Sequence, residues 1–264
     1  MAASLRTTGR ATAAAFALLL TATPMAVGMT SAAAAEPGAL LFADDFDGPA
    51  GALPDQSRWQ DWSVDTYNPT AAFGDIRPGD NETLDGRGSL VVPATPTAGS
   101  AVRSRTGFVY GTMSAWIKTP TQEGYWPAFW TLNNDPGGVD HPVIGEIDTM
   151  EAFTKWPNVY HGVGHTWVPG STSANSPDNY CPGDWSADMT GRFNKYSATV
   201  EPGRITFSFN DVPCGTYVKE PGAAWGFGPD VTDPNWLILD LAVGGAGGQQ
   251  APAVAPAQML VDRV

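Results

Sequence analysis

Residues 145–153 read GEIDTMEAF and place three carboxylic acids, Glu146, Asp148 and Glu151, within six positions. The residues between the acids are mostly apolar or β-branched, which favours a buried β-strand over a solvated loop. Carboxylates this close repel one another, and their burial costs free energy unless pairing or function compensates for it. The stretch therefore predicts a strand that carries a functional cluster of acids.

The spacing of the acids predicts a β-bulge. Side chains alternate along a strand, so Glu146 and Asp148 share a face, while strict alternation sends Glu151 to the opposite face. One extra residue at Thr149–Met150 returns Glu151 to the face of the other acids. Glu146 and Glu151 are then about four strand steps apart, roughly 13 Å between Cα atoms and about 5 Å between carboxylates. Retaining glycosidases separate their two carboxyls by about 5–5.5 Å and inverting ones by about 6.5–9.5 Å, so the retaining geometry is favoured.

The middle acid, Asp148, is expected to hydrogen-bond the nucleophile. Its charge should raise the pKa of at least one acid in the group, as a general acid that works near neutral pH requires. Two other interpretations of the acids stay open: a Ca²⁺ site built from clustered oxygen ligands, and a solvated acidic patch. The apolar residues between the acids and the aromatic residues around them favour neither alternative.

Aromatic residues precede the acids in the stretch GYWPAFWTLN, which contains Tyr125, Trp126, Phe129 and Trp130. Core packing explains some of these rings. Two tryptophans four residues apart also suit a platform for the flat face of a sugar ring. We therefore expect a mixture, with at least one tryptophan in a binding cleft.

Two histidines follow the acids in the stretch HGVGHTW, which places His161, Val163, His165 and Trp167 on one strand face. A histidine pair with this spacing can bind a metal on a helix, but the two glycines of the stretch argue against a helix. We expect a hydrogen-bonding role for one of the histidines.

The rest of the chain predicts an all-β fold in a single domain. RITFSFN alternates Ile205, Phe207 and Phe209 against polar residues, and Asn210-Asp211 marks the turn of a hairpin. Further short strands are separated by turns rich in the 30 glycines and 23 prolines, a pattern typical of a sandwich or barrel. A chain of 264 residues with 42% hydrophobic residues can bury one large core.

The N-terminal 35 residues predict a secretory signal peptide, which leaves residues 36–264 as the mature domain. Arg6 and Arg10 precede an apolar run, and small residues follow it as a cleavage site. A membrane anchor is the alternative, and Pro24 disfavours it. The sequence thus predicts a secreted, extracellular protein with no membrane contact after cleavage, because no later apolar run is long enough to span a bilayer.

Charge and cysteine content fit this compartment. The net charge is −13, and an acidic protein repels phosphate backbones, which argues against a nucleic-acid partner. The two cysteines, Cys181 and Cys214, predict a disulfide in a secreted chain, with two buried free thiols as the alternative. Such a bridge would stabilise the fold by roughly 3–4 kcal/mol on the chain-entropy estimate. Two cysteines and three scattered histidines do not make a zinc site.

The acid motif EIDTME resembles the Glu-x-Asp-x-x-Glu signature of family 16 glycoside hydrolases, in the bulged form of laminarinase-like endo-β-1,3-glucanases. The flanking stretches LFADDFDG, GYWPAFWTLN, HGVGHTW, WLILDLAVGG and MLVDRV follow in the family's order. This resemblance implies a concanavalin-like β-jelly-roll of two curved antiparallel sheets, with an open cleft on the concave face.

The resemblance also implies roles for individual residues. Three acids are catalytic, with Glu146 as the nucleophile, Glu151 as the acid/base and Asp148 as the assisting acid. The residues that match substrate-binding positions of the family are Arg77, Trp126, Trp130 and His165. The implied activity is a secreted, retaining, endo-acting hydrolysis of β-glucan, most similar to cleavage of β-1,3 linkages in laminarin.

The stretch TYNPTAAFGDIRP ahead of the family's arginine position departs from the family pattern. It has no Asn-Asn-Glu-type loop, which weakens the expectation of β-1,3 specificity without affecting the chemistry. Two alternatives stay open: a hydrolase or transglycosylase acting on another β-linked cell-wall or algal polysaccharide, and a non-catalytic, lectin-like glucan-binding protein. The resemblance implies that catalysis needs no cofactor. It also makes Asp262 a candidate ligand of a structural Ca²⁺, with a plain surface acid as the open alternative. We expect a monomer whose partner is a polysaccharide.

Overall fold

The computed structural model describes residues 38–62, 82–133, 143–167, 174–175, 179–181, 189–228, 234–244, 253 and 255–264. The predicted signal peptide and Arg77 lie outside these residues. Phe42–Val264 form one compact unit. Every regular element in the described ranges is a β-strand, and these ranges contain no helix that could cross a membrane.

Short strands separated by turns make up the described part of the chain, as the alternating patterns predict. In chain order they are β1 (Trp59–Asp61), β2 (Thr83–Leu84), β3 (Leu90–Ala94), β4 (Ser100–Phe108), β5 (Gly111–Lys118), β6 (Tyr125–Leu132), β7 (Ile144–Glu151), β8 (Tyr160–Trp167), β9 (Ala174–Asn175), β10 (Asn179–Cys181), β11 (Asn194–Glu201), β12 (Arg204–Phe209), β13 (Val212–Val218), β14 (Asn235–Val243) and β15 (Ala257–Arg263).

The strands form two antiparallel sheets. One has the order β1-β4-β14-β6-β7-β8-β10, with β9 paired to β8, and the other has the order β13-β12-β11-β5-β15-β3-β2. Non-consecutive strands are neighbours in both sheets, as in a jelly-roll. The predicted all-β jelly-roll is therefore confirmed, and we call the face of the first sheet that points away from the core the cleft face.

The core lies between the two sheets and follows the predicted alternation. Ile205, Phe207 and Phe209 of β12 are all buried there. The hairpin predicted at Asn210 and Asp211 is also confirmed, because these two residues connect β12 and β13 with φ values of 49° and 67°. Asn and Asp tolerate positive φ, which the two-residue type I′ hairpin requires at both positions.

The predicted disulfide between Cys181 and Cys214 is present. Cys181 is buried on β10 and Cys214 lies on β13, and these are edge strands of different sheets. The bridge therefore joins the two sheets at one margin of the sandwich.

The glycines of β8 let the second sheet approach its backbone. A Cβ atom added to Gly162 would lie 2.7 Å from the Phe207 ring, and one added to Gly164 would lie 2.5 Å from the Tyr217 ring. These two positions therefore face the core, which turns His161 and His165 to the cleft face. The glycines that argue against a helix here have a packing function in the strand.

Glu82 is an acid buried at the margin of the sandwich, with 2% of its surface exposed. Burial raises the pKa of its carboxyl to about 7, and the charge of Asp61 raises it further, while hydrogen bonds including one with Ser100 oppose the rise. The pKa of this carboxyl is higher in the folded protein than in the unfolded chain. It therefore lowers the stability of the fold more and more as pH rises from the unfolded-state pKa to the folded-state pKa.

Glu82→Gln is therefore expected to raise the melting temperature at pH 8 by roughly 3–6 °C, with the gain vanishing towards pH 4. Thermal unfolding at several pH values tests this, with the exposed Glu123→Gln as the charge-matched control. A gain that is equal at pH 4 and pH 8 would contradict the titration of Glu82 as its cause.

Candidate active site

The predicted bulge is present in β7, the strand of the three acids. Against β8, Asp148 pairs with Val163 and Glu151 pairs with His161, so three steps along β7 oppose two steps along β8. The register against β6 shifts at the same place. The extra residue therefore lies between Asp148 and Glu151, as the spacing of the acids predicts.

The bulge sorts the side chains of β7 between the two faces of the sheet. Ile147 and Met150 are fully buried in the core cluster. Glu146 and Glu151 are half-buried, and their partners on β8 are His165 and His161. The two histidines are four residues apart on a regular stretch, so the glutamates are also about four strand steps, or roughly 13 Å, apart at their Cα atoms.

Strand pairing also defines the neighbours of each acid on the cleft face. Three rows cross the sheet from β14 through β6 and β7 to β8. They are Asp240–Ala128–Glu151–His161, Ile238–Trp130–Asp148–Val163, and Trp236–Leu132–Glu146–His165. The predicted site residues Trp130 and His165 are therefore direct neighbours of the acids.

Burial and neighbouring charges change the pKa of Glu146. Burial raises the pKa of Glu146 well above its ordinary value, the charges of Asp148 and Glu151 raise it further, and His165 lowers it. A hydrogen bond between Glu146 and Asp148 also favours the protonated form of Glu146. The raised pKa therefore falls on Glu146, the expected nucleophile, and burial is its largest cause. The raised pKa expected for a general acid, Glu151, stays a prediction.

His165 holds the middle acid in place. Its Nε2 atom lies 3.0 Å from Oδ2 of Asp148, which is itself only 5% exposed. Asp148 thus contacts a histidine on one side and the carboxyl of Glu146 on the other. This geometry agrees with the hydrogen-bonding role that the sequence predicts for one of the histidines.

Aromatic rings flank the site beyond Glu151. The Trp126 ring lies 5.1 Å from the Phe153 ring, which contacts Trp156 at 5.8 Å and His161 at 5.6 Å. Trp126 and Trp156 are half-buried and Phe153 is 9% exposed. These residues form an apolar wall with partly accessible rings, which suits the apolar faces of sugars.

A second aromatic group lies beside Asp148. The Trp130 indole Nε1 donates a hydrogen bond of 2.7 Å to Oδ1 of Asp240, and the Trp62 ring packs edge-on against Trp130 at 5.3 Å. Burial raises the pKa of the Asp240 carboxyl to about 8; the hydrogen bond from Trp130 lowers it and the charge of Asp148 raises it.

The tryptophans sort as the mixed interpretation predicts. Trp126 and Trp130 lie on the cleft face, whereas Tyr125 and Phe129 are fully buried in the core. Sequence reasoning missed Asp240, although a single acid in the otherwise apolar stretch WLILDLAV was the available signal. It also missed Trp62 and Phe153, for which the sequence has no comparable signal.

The sequence raises two metal possibilities, a Ca²⁺ on the three acids and a structural Ca²⁺ on Asp262. Glu146, Asp148 and His165 offer ligand atoms within 4.8 Å of one another, so these three residues could hold a cation. Nε2 of His165 already lies 3.0 Å from Oδ2 of Asp148. At the predicted calcium position, Oδ2 of Asp262 accepts a hydrogen bond from Nε of Arg263 at 3.0 Å, and this cation disfavours a divalent ion there. The calcium site stays a prediction, and an unchanged melting temperature after chelation would contradict it.

Comparison with known proteins identifies the class that this fold and site define. The sequence profile named Glycosyl hydrolases family 16 matches residues 73–258, and the protein belongs to this family. The resemblance to its laminarinase-like branch, predicted from the acid signature, is confirmed by relatives of that kind.

A β-glucanase of Rhodothermus marinus is 29% identical over 248 residues, covering 85% of this chain and 83% of the relative. A solved Mycobacterium tuberculosis protein, described as an immunostimulatory antigen and pseudo β-1,3-glucanase, is 32% identical with a TM-score of 0.66, covering 86% of this chain and 97% of that one. The catalytic domain of a Thermotoga petrophila laminarinase shares the fold at 23% identity, with a TM-score of 0.69 over 85% of this chain and 95% of that domain.

Proposed function

We propose that the protein is a secreted, retaining, endo-acting glycoside hydrolase that cleaves β-glucan, with β-1,3 linkages as its target. The observation that carries the proposal is the bulge in β7, which brings Glu146, Asp148 and Glu151 to one face with four strand steps between the glutamates. Retaining glycosidases need two carboxyls about 5–5.5 Å apart across the scissile bond. The name of the Rhodothermus relative, a β-glucanase, supports a β-glucan substrate.

In the proposed first step, Glu146 attacks the anomeric carbon while Glu151 donates a proton to the departing glycosidic oxygen. A covalent ester between the sugar and Glu146 results. Glu146 must be ionised to attack, so its proton has to pass to a base. We propose Asp148 as that base, because the Asp148 and Glu146 carboxyls are hydrogen-bonded to each other. His165, 3.0 Å from Asp148, keeps that carboxyl in position.

In the second step, Glu151 removes a proton from water, and the resulting nucleophile displaces Glu146 from the anomeric carbon. Two inversions restore the β configuration. The rings of Trp126 and Trp130 are proposed to stack on sugar residues along the cleft face, where they are partly accessible. Arg77 is proposed as a further substrate contact, from the family resemblance alone.

Secretion is proposed from residues 1–35. The disulfide between Cys181 and Cys214 supports it, because structural disulfides persist in oxidising compartments. All three proposed catalytic acids come from one strand, so a monomer carries the complete set.

Product analysis tests the reaction. The enzyme is expected to release reducing ends from laminarin, with mixed-linkage glucan, agar and galactan as comparison substrates, and proton NMR should show β-anomers first. Initial α-anomers would rule out double displacement. Release of reducing ends from agar or galactan alone would show that the target is another β-linked polysaccharide and not β-1,3-glucan. Products longer than the substrate would indicate transglycosylation.

A non-catalytic glucan-binding protein is the second candidate, because the 32% identical Mycobacterium relative is described as a pseudo-glucanase. The presence of all three acids in this chain favours the enzyme. Binding of laminarin oligosaccharides without any release of reducing ends from any substrate would favour the second candidate.

A further inference from the structure

Asp240 is a buried acid that the proposed chemistry does not use. It lies on β14, where Leu237, Leu239 and Leu241 point into the core and the alternate residues point to the cleft face. Only 4% of its surface is exposed. Burying an acid on an apolar strand costs free energy unless its contacts compensate. The contacts of Asp240 therefore indicate its role.

Small residues leave room for this carboxyl. Its cross-strand partners are Ala101 on β4 and Ala128 on β6, and both are buried. Ile238 and Ala242, the next cleft-face residues on its own strand, pack in an apolar cluster with Trp62 and Trp130. The Trp130 indole N–H, at 2.7 Å, is the group that bonds its Oδ1 atom.

Trp130 is in turn the direct cross-strand neighbour of Asp148. Side chains in such pairs have Cβ atoms about 4.5–5.5 Å apart. A rotation of the indole would therefore change the space beside the proposed assisting acid. The hydrogen bond to Asp240 fixes the polar edge of the ring towards β14, and the edge-on contact with Trp62 restricts it further.

We propose that Asp240 is a positioning residue of the proposed glycanase site: its carboxyl fixes the Trp130 indole so that the ring is preorganised beside Asp148 for the bound sugar. This inference rests on the proposed function, because it names a support of the same site. The positioning role needs a hydrogen-bond acceptor at position 240, and it does not need a negative charge there.

The charges around Asp240 agree with a neutral carboxyl. Glu151 is the β7 acid in the same row as Asp240, with Ala128 between them. Asp148, in the adjacent row beside Trp130, carries the negative charge that opposes ionisation of Asp240. The neighbours of Asp240 from β4 and β6 in the same row are alanines, and Arg103 on β4 is directed to the Trp236 ring, 5.0 Å from its centroid. With a pKa of about 8, the carboxyl stays mostly protonated at pH 7 and adds little charge to the acids.

Two substitutions separate positioning from bulk structure. Asp240→Asn keeps an acceptor without a charge, and its kcat and KM on laminarin at pH 6.5 should stay within about 3-fold of wild type. Asp240→Ala leaves the indole N–H unpaired and should lower kcat/KM by about 10- to 100-fold while circular dichroism is unchanged. Combining Asp240→Ala with Trp130→Phe should cost no more than the larger single loss, because both changes break the same hydrogen bond.

The indole itself provides a second readout. The Trp130 N–H resonance, identified by its loss in Trp130→Phe, should shift with a midpoint near pH 8 in the wild type and show no such step in Asp240→Asn. Full activity of Asp240→Ala, equal losses in the Asn and Ala variants, or additive losses in the double variant would each overturn the inference. Wild-type protein that cleaves no polysaccharide would overturn the proposed function first, and this inference with it.

Discussion

Glu146→Gln is expected to lower kcat on the best polysaccharide by about 10⁴-fold or more while leaving the fold intact. The amide matches the carboxyl in size but cannot form the glycosyl ester, so the double displacement stops before its first step. The change also keeps the local hydrogen bond, because the amide N–H can donate to Asp148 as the protonated carboxyl of Glu146 does.

The same variant should be more stable than wild type at neutral pH. The pKa of Glu146 in the folded protein lies well above its ordinary value, so folding disfavours the ionised carboxyl. The wild-type protein therefore loses stability as pH rises above the pKa that Glu146 has in the unfolded chain. Loss of activity combined with a higher melting temperature therefore separates a chemical role from damage to the fold. The exposed Glu123→Gln serves as the control for both measurements.

Titration of the Glu146→Gln variant with laminarin oligosaccharides completes this test. Binding should survive, because the aromatic rings and neighbouring acids remain in place. A variant that binds and still turns over at near wild-type rate would refute Glu146 as the nucleophile. A variant that neither binds nor turns over would be uninformative on its own, and the melting temperature then shows whether it is folded.

Local periodicity explains why the acids could be placed from the sequence. Alternation along β7 and the three-acid spacing together require one extra residue, and the paired strands contain it between Asp148 and Glu151. The contact between Trp130 and Asp240 could not be found in this way. These residues are 110 positions apart and meet only because β14 inserts between β4 and β6, an order that periodicity within a strand does not reveal.

The cysteines show the same limit. Their number in a secreted chain predicts a pair, but the sequence does not show that Cys181 and Cys214 lie on edge strands of different sheets. The glycines of HGVGHTW are similar, since the rings that they accommodate, Phe207 and Tyr217, come from the opposite sheet. Sequence patterns thus predict which face a residue occupies, whereas the strand order determines its neighbours.

Glu151→Gln is expected to lower kcat on polysaccharide by about 10²- to 10⁴-fold, the usual contribution of a general acid. A sugar alkoxide is a poor leaving group, so the first step needs the proton from Glu151. An aryl β-glycoside with an acidic phenol leaves without that proton, so its glycosylation step should be almost unaffected. The variant should then show a burst of phenol followed by slow turnover, because water attacks the ester without its base.

Azide distinguishes Glu151 from Glu146 in this experiment. A small anionic nucleophile needs no general base, so azide should restore turnover of the aryl glycoside by Glu151→Gln and yield the β-glycosyl azide after two inversions. The same addition should not rescue Glu146→Gln through this intermediate, since that variant forms no ester.

The pH profile of the wild type should have two limbs. Activity should fall at low pH as Glu146 is protonated, and this limb should lie at a higher pH than for an ordinary glutamate. Activity should fall again at high pH as Glu151 loses its proton. Glu151→Gln should keep the acid limb with aryl substrates and lose the alkaline one, and an unchanged alkaline limb would assign the acid/base role to another residue.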